Sequence, residues 1–195
     1  MSGDDTAPIL SSYTAWFGPP TRIVRMPGRS SVAPDTAVVA YLPSQADQKD
    51  PEGNLTLLGT AGLGSAMICR NLQCELGIEI QGALGQDAIE ENVGALLDLA
   101  SVPLETGNQF EVNQVLNNFW FPAFPRFEFA MLIDWDPIDG FRFPAPCQEI
   151  GMLRVLPLYR TEVEFVESFS DRNEGYLSLF NRGLREADSD RGPVI

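Results

Sequence analysis

The 195-residue chain contains no histidine and a single lysine, Lys49. Without an imidazole, Ser-His-Asp and Cys-His nucleophilic machinery is excluded, because nothing is there to take the nucleophile's proton. A Ser-Lys pair would have to recruit Lys49 from Ser44–Asn54, a stretch of turn formers with no periodicity that reads as a solvent loop. Cysteine is also scarce. Cys69, Cys74 and Cys147 leave an odd one over, and the five-residue step between the first two matches no common zinc pair. The expectation is therefore no disulfide framework, no metal and no cofactor, with buried thiols serving as small apolar groups. No window approaches the roughly eighteen apolar residues of a membrane helix. The opening MSGDDTAPIL carries acids where a secretory leader needs a basic region, so the expected address is the cytoplasm.

What the chain has in excess is negative charge. Asp and Glu number 27 against 13 Lys and Arg, a formal net charge of −14. Phosphate contacts need a basic face, so nucleic acid is excluded as a partner. An acidic surface does suit a basic protein, which it can steer and hold. With 44% apolar and 21% charged residues, the composition is that of a globular protein, and the length suits one well-cored domain over 1–195.

Along the chain, residues 1–12 and 187–195 read as flexible tails. Thr21–Met26 and Thr36–Pro43 read as short strands, followed after the loop by the strand-like LTLLGT from Leu55. In Cys74–Gln81, Cys74, Leu76, Ile78 and Ile80 alternate with Glu75, Glu79 and Gln81, which predicts a half-buried strand with a wet acidic face. Ile89, Val93, Leu96, Leu97 and Ala100 fall at helical spacing, with Asp87 and Glu90 placed as a capping pair and Pro103 just past the end. From Phe119 to Phe143 the chain packs nine of its nineteen aromatics. Within this run Phe127, Phe129, Met131, Ile133 and Trp135 alternate onto one face. Gln148–Tyr159 is apolar on both faces, as a covered central strand requires. Thr161 and Glu164 are spaced as a capping box for a helix through Ser168. A last helix near Asn173–Arg185 stacks Tyr176, Phe180 and Leu184. Strands, helix, strands, then helices predict an α+β fold (an α/β sandwich), a single mixed sheet covered by helices.

Three motifs invite chemistry. GTAGLGS (Gly59–Ser65) is neither G-x-x-x-x-G-K-[ST], since the lysine is missing, nor G-x-G-x-x-G, since its spacing is G-x-x-G-x-G. Glycines at a tight strand-to-strand passage explain it better. DWDPIDG (Asp134–Gly140) mimics a calcium loop but places its third acid at position 6, its glycine at 7 and Ala145 at 12, so the register is wrong. Paired carboxylates among Glu75, Glu79, Asp134 and Asp136 could serve a carbohydrate-active enzyme, and that reading requires them to converge in a concave pocket.

Taken in order, several pieces resemble the suppressor of fused family in its short bacterial form. They are Thr60-Ala61-Gly62-Leu63 at a strand end, the Glu75–Ile80 strand, the helix ending in LLDLASVP, FEFAMLIDW, and VLPLYRTEVEFV with Pro157, Glu162 and Val163 in place. The resemblance spans residues 36 to 185. It implies a non-enzymatic domain that works by binding another protein. Animal members restrain a transcription factor of the Hedgehog pathway, but this chain lacks their large additional C-terminal portion, so that role is not carried over. Similar bacterial domains are thought to be immunity proteins that neutralise polymorphic toxins. The expected partner is therefore a protein, in this case a basic toxin domain. The expected contact acids are Glu75, Glu79, Asp134, Asp136, Asp139, Glu162, Glu164 and Glu167. A homodimerising scaffold is the remaining alternative.

Overall fold

The computed structural model describes residues 6–26, 36–44, 49, 54–64, 68–70, 73–136, 141–143, 145 and 147–195. Seven strands form one sheet: β1 (Arg22–Met26), β2 (Thr36–Tyr41), β3 (Leu55–Ala61), β4 (Gln73–Gln81), β5 (Val115–Asn117), β6 (Phe129–Asp134) and β7 (Ile150–Leu158). Their order is β1-β2-β3-β4-β7-β6-β5. Only β4 and β7 run parallel, with Cys74 opposite Gly151 and Leu76 opposite Leu153. The helices are α1 (Thr6–Phe17), α2 (Gln86–Thr106), α3 (Arg160–Glu167) and α4 (Arg172–Asn181). This is the mixed, helix-covered α+β sheet expected from the order of the segments.

Both faces of the sheet are buried. On one, α2 presents Ile89, Val93 and Leu96 to Val38, Leu58, Leu76, Ile78, Leu132 and Val155, and the aromatic run adds Phe119, Phe121, Phe124 and Phe127. The opposite face is shared. Over β2 and β3, Ile9, Leu10 and Tyr13 of α1 pack with Trp135, Phe141 and Phe143. Over β6 and β7, Val163 and Val166 of α3 and Leu179 of α4 pack on Met131, Ile133, Leu156 and Leu158.

Several local expectations are corrected here. Residues 6–12 are not a frayed tail, because they begin a helix whose Ile9, Leu10 and Tyr13 are core. Residues 187–195 are not a loose tail either, since Arg191 among them is buried. The second face of β4 is not wet. Glu75 is fully buried and Glu79 nearly so, since β4 lies mid-sheet with a neighbour on each side. Asp87 and Glu90 do not cap α2, whose N-cap is Gly85 with no side-chain bond. Pro103 lies inside that helix, which runs on to Gly107, a left-handed cap (φ 74°). For α3 the cap pair is two residues earlier than expected, with Glu162 accepting the Tyr159 N–H at 2.9 Å. On α4 Leu179 is buried and Phe180 is exposed. Phe127 precedes β6 and packs on the α2 side, away from Met131 and Ile133. Finally, Cys69 and Cys74 are disulfide-bonded, with Cα atoms 6.3 Å apart. The Ser44–Asn54 loop lies largely outside the described residues.

Candidate functional site

The glycine turn after β3 does cradle an anion, but one the chain supplies. Glu75 enters from β4, and its carboxylate accepts the backbone N–H groups of Gly62 (3.0 Å), Leu63 (3.2 Å) and Gly64 (2.9 Å). The Thr60 hydroxyl sits 2.8 Å from the same carboxylate, and the Thr60 carbonyl accepts from the buried Tyr13 hydroxyl at 3.0 Å. Gly62 has φ 112°, a conformation that side chains other than hydrogen rarely permit, and it turns successive N–H groups inward. Burial pushes the Glu75 carboxyl above its ordinary value, while the Gly64, Thr60, Gly62 and Leu63 donors pull it back. The chain's own carboxylate occupies this cradle.

The other expected acids divide between interior and surface. Glu79 forms an ion pair with Arg154 (2.7 Å), which also pairs with Glu186 and lies 5.7 Å from the Trp135 ring centroid. Burial raises Glu79, Arg154 opposes that rise, and the like charge of Glu186 adds to it. Glu162 is fully buried against Arg191. Glu75, Glu79 and Glu162 are therefore removed as surface contacts, for one reason: each has an internal donor or cation. Asp134 and Asp136 are exposed and line a cleft of about 240 Å³ with Arg142, Gln148 and Glu149, where Arg142 already pairs with Asp136 at 2.8 Å. Glu75 and Glu79 do not line this cleft, so the four carboxylates weighed for sugar chemistry do not converge. Glu164 and Glu167 are exposed on α3, Glu167 pairing with Arg172 at 3.0 Å. Asp139 lies outside the described residues. Among the described residues no His, Cys, Asp and Glu cluster could hold a metal, and no helix is long and apolar enough to cross a membrane.

A feature absent from the expected set lies along β5, the last strand of the sheet. β5 has only three residues, and the left-handed Asn113 (φ 64°) and Asn118 (φ 56°) flank it. Between β5 and α2 runs a groove of about 520 Å³, floored by Ala95, Leu99, Phe110, Leu116 and Phe119. Trp120 stands at its rim 70% exposed, and Val102 is 40% exposed. Asp98 lines the groove as well, and Glu167 and Asp171 line a second hollow with Val112 and Asn113. The aromatic run hinted at this place, but alternation cannot single out an exposed tryptophan.

No family model and no curated protein matches the sequence. Solved structures do match. A suppressor-of-fused homologue of Neisseria gonorrhoeae aligns over 98% of this chain and 97% of its own, with a TM-score of 0.67 and 15% identity. The fold is suppressor-of-fused-like. A chain of the Sufu–Fu complex aligns over 97% of this chain and 92% of its own (TM-score 0.63, 11% identity). Drosophila Suppressor of Fused aligns over 96% of this chain but 49% of its own (TM-score 0.58, 12% identity). The suppressor-of-fused resemblance noted in the sequence thus extends to the whole described fold.

Proposed function

We propose that this chain is a cytoplasmic, non-enzymatic protein-binding domain that acts as an immunity protein, neutralising a basic toxin domain. The observation that carries this reading is the match of the fold, across 97% of the chain, to a protein crystallised as the Sufu–Fu complex. The absence of histidine and the net charge of −14 support it. The α2–β5 groove is the contact we favour. Its floor is apolar, one strand edge is open, and Trp120 offers an interface anchor of the kind that dominates binding energy. Asp98 within it complements a cationic partner, with the exposed Glu164, Glu167, Asp171, Asp134 and Asp136 extending the acidic field over the surface.

The reading predicts a toxin gene beside this one, and the test is co-expression with its product. Growth should be rescued, and purified chain should bind the toxin with an affinity that falls as salt rises. Trp120→Ala should weaken binding by at least about tenfold while leaving the urea midpoint unchanged, because an interface anchor costs roughly 2 kcal/mol or more when truncated and this ring is mostly in solvent. Neither rescue nor binding would end the immunity reading. Intact binding by Trp120→Ala would move the contact away from the groove.

A further inference from the structure

Residues 186–195 form no helix or strand, yet the Arg191 side chain among them is only 3% exposed. Its guanidinium is held on all sides. Nη1 donates to Glu162 Oε1 at 2.5 Å and Nη2 to Oε2 at 2.9 Å, a fork-to-fork pair. Nη2 also donates to the Pro157 carbonyl at 2.9 Å, and Nη1 to the Gly192 carbonyl at 3.3 Å. The rings of Phe127 and Tyr159 lie 5.0 and 5.4 Å from its central carbon.

Apart from the Gly192 carbonyl, these partners belong to the body of the fold rather than to the segment that carries Arg191. Pro157 is in β7, Tyr159 caps α3, Glu162 is in its first turn and Phe127 belongs to the aromatic run. Glu162 Oε2 also accepts the Tyr159 N–H at 2.9 Å, a bond that comes from the body of the fold and not from Arg191. The segment itself is attached by Glu186 to Arg154 and Tyr176 at its start, by Asp190 to Arg126, and by three further bonds: the Gln81 N–H to the Ala187 carbonyl, the Tyr159 hydroxyl to the Arg191 carbonyl, and the Val194 N–H to Glu162 Oε1. A buried carboxylate such as that of Glu162 is unfavourable when left without a cation. A planar fork beside two neighbouring rings, whose centroids are 4.5 Å apart, fits a guanidinium, whereas an ammonium would make a point contact.

We propose that Phe127, Pro157, Tyr159 and Glu162 form a guanidinium receptor, and that Arg191 is its resident occupant, exchangeable for an arginine side chain of a basic peptide. The receptor is separate from the α2–β5 groove and does not depend on the protein-binding reading, because small molecules can probe it. In Arg191→Ala, ethylguanidinium should stabilise the protein saturably, shifting the folding equilibrium about tenfold at ten times its dissociation constant. Ethylammonium should not, and Glu162→Gln in the same background should abolish the effect. If Arg191→Ala is unfolded alone, recovery of its circular dichroism by ethylguanidinium is the same result. A second measurement uses the unaltered chain. A glycine-flanked arginine peptide should speed hydrogen exchange at the Val194 amide saturably while the Tyr159 amide stays protected, and the lysine peptide should leave both unchanged. Equal effects of the two cations, or no exposure of Val194 by the arginine peptide, would overturn the proposal.

Discussion

The Glu75 carboxylate accepts the Gly64 backbone N–H at 2.9 Å, which closes the turn after β3 onto the strand that follows it. Gly62, Leu63 and Thr60 contribute to the same carboxylate, so removing it orphans several buried donors together. Each unsatisfied buried group costs about 1–3 kcal/mol. Glu75→Ala is expected to lose about 3 kcal/mol or more in urea unfolding, and Glu75→Gln less, because an amide oxygen still accepts. A loss under about 1 kcal/mol for the alanine variant would show that the turn does not depend on this carboxylate.

Gly77 and Trp135 make a second constraint of this kind, steric instead of polar. A Cβ built on Gly77 would fall 2.1 Å from Cζ3 of the Trp135 ring, which is itself buried and stands near Arg154. Gly77→Ala should therefore displace the indole, destabilise by about 1–3 kcal/mol and shift tryptophan emission. Trp135→Leu in the same chain should recover part of the loss. An unchanged spectrum and stability would mean that the ring is loosely held.

These two residues also show where reading the sequence stopped. The alternation in β4 placed Leu76, Ile78 and Ile80 correctly on a core face. It could not reveal that the opposite face is covered as well, since that depends on where β4 stands in the sheet and on Trp135, just past β6, lying against Gly77. Charged residues at Glu75, Glu79 and Glu162 look like surface in one dimension. Their compensation comes from the Gly62–Gly64 turn, Arg154 and Arg191, the last of them 29 residues away from its partner. Exposed acids such as Glu164 and Glu167 needed no such partner and were legible. The Trp120 groove was not, because an edge strand of three residues leaves almost no periodic signal.

The Cys69–Cys74 pair makes a chemical prediction. Cys69 bridges to Phe110 and Cys74 sits in β4, with their Cα atoms 6.3 Å apart, within disulfide reach. Protein unfolded without reductant should titrate one thiol per chain, that of Cys147, and three after reduction. Loss of the cross-link in Cys69→Ser/Cys74→Ser should cost about 2 kcal/mol for so short a loop. Disulfides are rare in reducing cytosol, so the count also bears on the expected cytoplasmic address. Three thiols before reduction would remove the cross-link from the native protein.

The Glu79–Arg154–Glu186 cluster should leave its mark on stability as pH changes. Arg154 serves both carboxylates, and burial, with the charge of Glu186 added, raises the Glu79 carboxyl above its ordinary value of 4.5 despite the pull of Arg154. A carboxyl raised in the folded state binds its proton more tightly there than in the unfolded chain. Its contribution is fully present below about 4.5 and is lost as pH rises through the folded value. Glu79→Gln has no such proton to lose and keeps the shape. Urea unfolding of both proteins from pH 4 upward should thus show wild type losing ground to the variant as pH increases, with the difference levelling off once Glu79 is ionised in both states. Parallel curves would place Glu79 at an ordinary carboxyl value, and a difference of opposite slope would mean that Arg154 outweighs burial at this site.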